Sequence, residues 1–254
     1  MLKLGLVGNN IQHSISPQIH RILSRYSGVP CTYDLLDVAT FPGHGAIKEF
    51  NGLNVTIPFK EEAFRSVELH DNSAKKTGAV NTIMVGDQIE GFNTDYLSTR
   101  FLLESGDQRM SDALLIGSGG VARAAVGALL DLGVSRITVA ARSKDRLAEM
   151  SRFFGISISP FDRNNDSHFD IVINAVPPDG FPFLGSVIRN LSFDSYIDYV
   201  YHAESPLILK ARKMGIRGIE GRKILILQAI FSHEIWTEAN LSFLYGLEVF
   251  QNVI

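Results

Sequence analysis

The chain has 254 residues, 45% apolar and 20% charged, and a formal charge of −3 from 24 Lys and Arg against 27 Asp and Glu. At about 150 residues per domain it holds one large domain or two small ones, and this composition excludes a disordered chain and gives no basic field for nucleic acid or anionic lipid, so the expected partner is a small molecule. The single cysteine, Cys31, excludes an internal disulfide and a four-thiolate zinc site and fits a reducing, cytoplasmic setting; no run approaches the ~18 apolar residues of a membrane span, and Met1–Gly8 is too short for a secretory signal.

Short apolar runs alternate with helical spacing, which predicts an α/β fold. In chain order the pattern predicts strands at Leu2–Gly8, Thr32–Val38, Leu53–Ile57, Asn81–Val85 and Ile89–Asn93, with helices at Pro17–Tyr26 and Thr94–Glu104. Residues 40–50 are weakly patterned, and the polar stretch Ser105–Ser111 reads as a linker. A second series follows: strand Ala113–Ile116, helix Val121–Leu132, strand Arg136–Ala140, helix Lys144–Phe154, a strand near Ile156, strands Asp170–Ala175 and Tyr196–Val200, and helix Leu207–Met214. This series predicts a doubly wound parallel sheet. Beyond Gly221 the pattern is helical, at Ile224–Thr237 and Leu241–Phe250.

Gly117-Ser118-Gly119-Gly120-Val121 follows an apolar strand and opens a helix rich in Ala and Leu. Glycines let backbone approach a pyrophosphate, and the helix N-terminus offers free N–H groups, so the turn suits a dinucleotide; a tight connection without ligand uses the same residues. No Gly-Lys-Ser/Thr ending is present, which excludes a P-loop. The next strand ends in Ala141-Arg142-Ser143-Lys144-Asp145-Arg146, with cations where an NAD-binding fold places an acid. That favours the 2′-phosphate of NADP, although a solvated helical first turn would look similar, and Ser143 is an N-cap in either case.

In His13-Ser14-Ile15-Ser16-Pro17 the two hydroxyls share one side of an extended segment and suit a carboxylate, while Ser16 before a proline also reads as an N-cap. Asn54-Val55-Thr56-Ile57-Pro58 alternates, which predicts Val55 and Ile57 buried and Asn54 and Thr56 on the other face. Lys60 follows in a first helical turn, where the helix dipole disfavours a cation. Asn81-Thr82 and Asn93-Thr94-Asp95 stand at strand ends, as turn and cap residues do.

Taken together, the His13–Pro17, Asn54–Lys60, Gly78–Thr82 and Asn93–Asp95 motifs, the glycine turn, and Gly221 through Leu225 to Gln228-Ala229 resemble the shikimate dehydrogenase family in order and approximate spacing over nearly the whole chain. The resemblance implies two α/β domains. Residues 1–104 with 224–254 would form a substrate-binding domain and 105–223 a Rossmann-type NADP-binding domain, the last helices returning to the first. It implies NADPH-dependent reduction of 3-dehydroshikimate to shikimate with Lys60 and Asp95 at the reacting carbon. Ser14, Ser16 and Tyr201 would hold the substrate carboxylate, and Thr56, Asn81 and Gln228 the ring hydroxyls. Gly117, Ser118, Gly119, Gly120, Val121, Ala175 and Gly221 would line the cofactor, and Arg142, Ser143 and Arg146 the 2′-phosphate. Ala141 stands where the family has asparagine, Asn10 where proline is usual, and Ile224 where methionine is common.

The quinate/shikimate branch, often NAD-dependent, shares the Lys and Asp, but Arg142 and Arg146 argue against it. A non-catalytic dinucleotide sensor is opposed by the presence of both Lys60 and Asp95. No Tyr-x-x-x-Lys of a short-chain dehydrogenase occurs, and His233-Glu234 lacks the second histidine of a metalloprotease, so no metal is expected. His13 and His20 read as surface or packing residues. The chain is expected to act as a monomer or homodimer.

Overall fold

In the computed structural model, which describes residues 1–106, 110–155, 159–160, 167–246 and 250, the first apolar run becomes β1 (Leu2–Gly8). After it come α1 (Ser16–Ser27), β2 (Cys31–Asp37), α2 (His44–Ile47), β3 (Gly52–Val55), α3 (Lys60–Ser66), β4 (Leu69–His70), α4 (Asn72–Thr77), β5 (Thr82–Val85), β6 (Ile89–Phe92) and α5 (Thr94–Glu104). The chain divides into two compact units, Met1–Ser98 with Ile226–Ile254, and Thr99–Leu225. One division falls inside α5, because Thr99 Oγ1 already bonds the Tyr199 hydroxyl at 2.5 Å.

The sheet of the first unit has the order β2-β1-β3-β5-β6-β4. β1 pairs parallel with β2 (Gly8 opposite Asp37) and with β3 (Val7 opposite Val55), whereas β5 runs antiparallel to β3 (Asn54 opposite Thr82) and to β6 (Thr82 opposite Phe92). The ends of β1, β2, β3 and β6 and the start of β5 therefore share one edge. Val7, Leu53, Val55, Phe59, Ala63, Val80, Ile83 and Ile89 pack into one core. Trp236 lies against Gly52, where an added Cβ would come within 2.3 Å of the indole nitrogen, and donates that N–H to Ile83 O at 2.9 Å.

The second unit contains β7 (Asp112–Ile116), α6 (Gly120–Asp131), β8 (Arg136–Ala140), α7 (Lys144–Phe154), β9 (Ser159–Pro160), β10 (His168–Asn174), α8 (Phe181–Ile188), β11 (Ser192–Asp198), α9 (Pro206–Met214) and β12 (Ile219–Glu220). Its strands are parallel throughout, in the order β12-β11-β10-β7-β8-β9, which is the doubly wound dinucleotide arrangement. Apolar clusters cover both faces, one around Leu115, Leu129 and Ile173 and one around Leu114, Val172 and Leu207. α10 (Gly221–Thr237) begins in this unit and ends in the first. Among the described residues no helix is long and apolar enough to cross a membrane.

Several local expectations are corrected. Residues 40–50 hold α2, and α4 and α8 have no counterpart in the sequence reading. Ile57 is 56% exposed, because the strand stops at Val55 and the chain turns with Phe59 N–H bonded to Thr56 O. Ser16 is the first residue of α1, whose N-cap is Ile15 without a side-chain bond. The expected last helix is a 3-10 stretch at Ser242–Gly246, with residues 247–249 outside the described residues, as are Ile156 and residues 107–109 of the expected linker.

His20 and His233 form a buried pair, Nδ1 to Nδ1 at 3.3 Å, with Tyr33 stacked on His20 at 4.4 Å and Ser27 Oγ 3.2 Å from His233 Nε2. His20 Nε2 has no hydrogen-bond partner among the described residues. Burial, reinforced for His20 by the neighbouring His233, keeps both rings neutral, His20 well below the usual 6.5 and His233 lowered to about 4. The unfolded chain binds these protons first, so the pair's contribution is complete above about pH 6.5 and is lost as pH falls toward 4, at up to about 1.4 kcal/mol per pH unit per ring. Urea unfolding from pH 7.5 to 5 will show a falling midpoint, and His233→Phe will flatten that slope; equal slopes for both proteins would remove the pair as its cause.

Candidate active site

The shared sheet edge of the first unit gathers polar side chains from distant parts of the chain. Pro58 and the turn after β3 place Lys60 at the start of α3, while Asn93 Oδ1 accepts the Tyr96 N–H at 3.0 Å and so caps the helix start that carries Asp95. Lys60 Nζ donates to Asp95 Oδ2 at 2.5 Å, and both side chains are only 10% exposed. A carboxylate in a first helical turn is favoured by the dipole; the lysine in that position is compensated by the carboxylate it faces.

Next to this pair is a buried amide and hydroxyl network. Asn81 Nδ2 donates to Thr94 Oγ1 at 2.9 Å, and its Oδ1 accepts the Thr94 N–H at 2.7 Å. Ser232 Oγ lies 2.8 Å from Thr82 Oγ1 and 3.1 Å from Thr94 Oγ1, accepts from Asn54 Nδ2 at 3.0 Å, and donates to Gln228 O one turn earlier on α10. The Tyr33 hydroxyl donates to Asn54 Oδ1 at 2.7 Å, and burial raises its pKa. Asn81 and Gln228 are buried in this setting. Sequence alone does not mark Tyr33, Thr82 and Ser232 as part of this network, because the bonds that join them to Asn54, Thr94 and one another span 12 to 178 positions.

Ser14 and Ser16 are brought together, with Ser14 Oγ donating to Ser16 Oγ at 3.1 Å and accepting the Ser16 N–H at 3.3 Å. Thr56 closes over Gly8, where an added Cβ would meet the Thr56 methyl and Ile11 Cγ2 at 2.5 Å each. His13 is exposed and His20 fully buried.

In the second unit β7 runs into Gly117, whose N–H bonds Ala140 O at 2.9 Å. Gly117 has φ +120, and an added Cβ would lie 2.9 Å from Ala175 O, so the β7 and β10 exits approach closely at the switch point of the sheet. Gly119 caps α6 without a side chain and faces open space, leaving the first N–H groups of α6 available to an anion. Arg146 Nε donates to Ser118 O at 3.2 Å, and Ser143 accepts the Arg146 N–H as the N-cap of α7, with Arg142 exposed one residue earlier. These groups fit a phosphorylated dinucleotide: a glycine cradle, an uncapped helix start and exposed guanidinium groups beside it.

Buried Asp198 accepts from Asn174 Nδ2 twice at 3.1 Å, from Val200 N–H at 2.9 Å and from Ser205 Oγ, tying the loop of Ala175 to that of Tyr201; burial raises its pKa. Tyr201 is half-buried and its hydroxyl pKa is likewise raised by burial. Gly221 opens α10 against the Tyr199–Val200 backbone, where an added Cβ would lie 2.6 Å from Val200 O. His168, Asp170 and Asp194 lie together at the starts of β10 and β11, where Asp170 Oδ2 already accepts from the Ser111 and Asp112 N–H groups.

These features define a two-unit α/β protein of the dinucleotide-dependent oxidoreductase class. A family model described as the shikimate dehydrogenase substrate binding domain matches residues 6–83, and one described as NADP oxidoreductase, coenzyme F420-dependent, matches residues 113–200. The shikimate dehydrogenase (NADP(+)) of Saccharolobus solfataricus is 32% identical over 261 residues, covering 96% of this chain and 95% of its own. That of Archaeoglobus fulgidus is 36% identical over 93% of both chains. A solved chorismate mutase/shikimate 5-dehydrogenase fusion protein from Clostridium acetobutylicum superposes with a TM-score of 0.84 at 29% identity, covering 100% of this chain and 97% of its own. The chain belongs to the shikimate dehydrogenase family.

The two turn glycines separate conformational from spatial constraint. Gly117→Ala will cost about 1–3 kcal/mol in denaturant unfolding, from the strained φ and the Ala175 contact, whereas Gly119→Ala, with ordinary φ and open space, will stay within about 0.5 kcal/mol. Equal losses would mean that the Gly117 backbone is not held as described.

Proposed function

We propose that the protein catalyses the reversible NADPH-dependent reduction of 3-dehydroshikimate to shikimate, a step of the shikimate pathway toward chorismate and the aromatic amino acids. The observation that carries this reading is the buried Lys60–Asp95 pair at 2.5 Å in a chain of this family. Bound NADPH supplies a hydride to the substrate ketone. Lys60 Nζ hydrogen-bonds the ketone oxygen, neutralises the charge that develops there and delivers a proton to it, so the C=O becomes an alcohol; oxidation of shikimate runs the same transfers backwards. Asp95 accepts the Lys60 hydrogen bond and keeps the Nζ aimed.

In this reading Ser14 and Ser16 bind the substrate carboxylate, and Thr56, Asn81 and Gln228 take the ring hydroxyls. Gly117, Ser118, Gly119, Gly120 and Val121 line the pyrophosphate, Ala175 and Gly221 line the cofactor beyond it, and Arg142, Ser143 and Arg146 hold the 2′-phosphate. The division of labour assigns substrate to the first unit and NADP to the second.

Steady-state oxidation of shikimate with NADP, beside quinate and beside NAD, is the direct test. Turnover confined to shikimate with NADP is expected; preference for quinate or NAD would move the protein to the quinate/shikimate branch, and NADP binding without turnover would make it a sensor. Lys60→Ala will lower kcat by at least about 100-fold with NADP affinity nearly intact; half-activity would remove Lys60 from proton transfer. Arg142→Ala will raise the KM for NADP far more than that for NAD, and an equal rise would place the 2′-phosphate elsewhere.

A further inference from the structure

The turn that carries β1 into the serine pair is held by a residue from another strand. Asn10 has φ +57, a left-handed conformation that costs a non-glycine residue energy, though asparagine less than most. Its N–H donates to Asp37 Oδ1 at 2.8 Å, while Ile11 N–H at 3.3 Å and Gln12 Nε2 at 3.2 Å donate to Asp37 Oδ2. Asp37 ends β2 directly opposite Gly8, the last residue of β1, so strand register sets this carboxylate beside the turn. Asn9 Nδ2 adds a bond to Val38 O at 3.0 Å.

The constraint continues to the hydroxyls. Ile11 O accepts the Ser14 N–H at 2.9 Å, the Ile11 side chain is buried over Gly8, and Ser14 Oγ in turn contacts Ser16. Asp37 thus lies two hydrogen-bonded steps from Ser14. Asn9, Asn10, Gln12 and Asp37 are all exposed, so these bonds contribute little to the core and chiefly decide where the turn sits.

We propose that Asp37 is a positioning residue: it holds the Asn9–Gln12 turn with Asn10 in its left-handed conformation and thereby sets the place at which Ser14 and Ser16 present their hydroxyls to the substrate carboxylate. This rests on the reading of the serine pair as the carboxylate site. Uniform binding of that kind appears in KM and not in kcat.

The test is steady-state kinetics of full-length Asp37→Ala, Asp37→Asn, Ser14→Ala and Ser16→Ala, varying shikimate and NADP in turn. Asp37→Ala will raise the KM for shikimate about tenfold, with kcat and the KM for NADP within about twofold. Asp37→Asn keeps the shape and one acceptor oxygen, and its rise will be intermediate. Both serine variants will raise the same KM. A lower kcat with unchanged KM would mean a merely structural role, and a lower KM in Asp37→Asn would mean that Asp37 acts only by repelling the anion; either overturns the proposal. So does an unmoved KM in Asp37→Ala while the serine variants raise theirs, whereas an unmoved KM in the serine variants overturns their reading and this inference together.

Discussion

Parallel pairing of β1 with both β2 and β3, followed by reversal through β5 and β6, forces the polar strand ends of the first unit onto one edge. Every group around Lys60 and Asp95 depends on that register. A slip of one residue would move each side chain of a strand to the opposite face of the sheet and scatter the set. The register is itself held by apolar contact, since Val7, Leu53, Val55 and Ile83 are almost fully buried on these strands.

The buried polar groups at that edge carry little net stabilisation but are costly to leave unpaired. Asn54, Asn81, Thr82, Thr94 and Ser232 satisfy one another, and so hold β3, β5, α5 and α10 in a single arrangement. In the first unit, among the described residues, the mismatch is His20 Nε2, the unpartnered atom of a ring already kept neutral by burial. Acid will attack this side of the unit, where protons have no solvated place to go.

What could be read from sequence follows from how local the determining physics is. β1, β8, α5 and α7 have the predicted bounds because continuous apolar runs, a serine N-cap at Ser143 and a glycine stop at Gly155 are local signals. α4 and α8 were invisible: the first is one short turn and a half of polar residues, the second an apolar helix with proline in its first turn. Ile57 misled because alternation was extended past the point where a turn overrode it. The individual site residues were legible by type and family pattern, whereas their contacts were not: Ser232 meets Asn54 across 178 positions and His233 meets His20 across 213. Asp37 gave no signal at all, since an acid at the end of a strand is ordinary until its three donors are seen.

α10 is shared by both units, opening on Gly221 against the Tyr199–Val200 backbone and closing with Trp236 on Gly52. The first unit is consequently discontinuous, and Ser232, which completes its polar network, is among the later residues to be made. During synthesis the second unit, continuous in sequence, has all its strands before the first has its final helix. Until then the amino-terminal sheet has Gly52 uncovered, and the hydroxyls of Thr82 and Thr94 have Asn54, Asn81 and each other to bond but not Ser232.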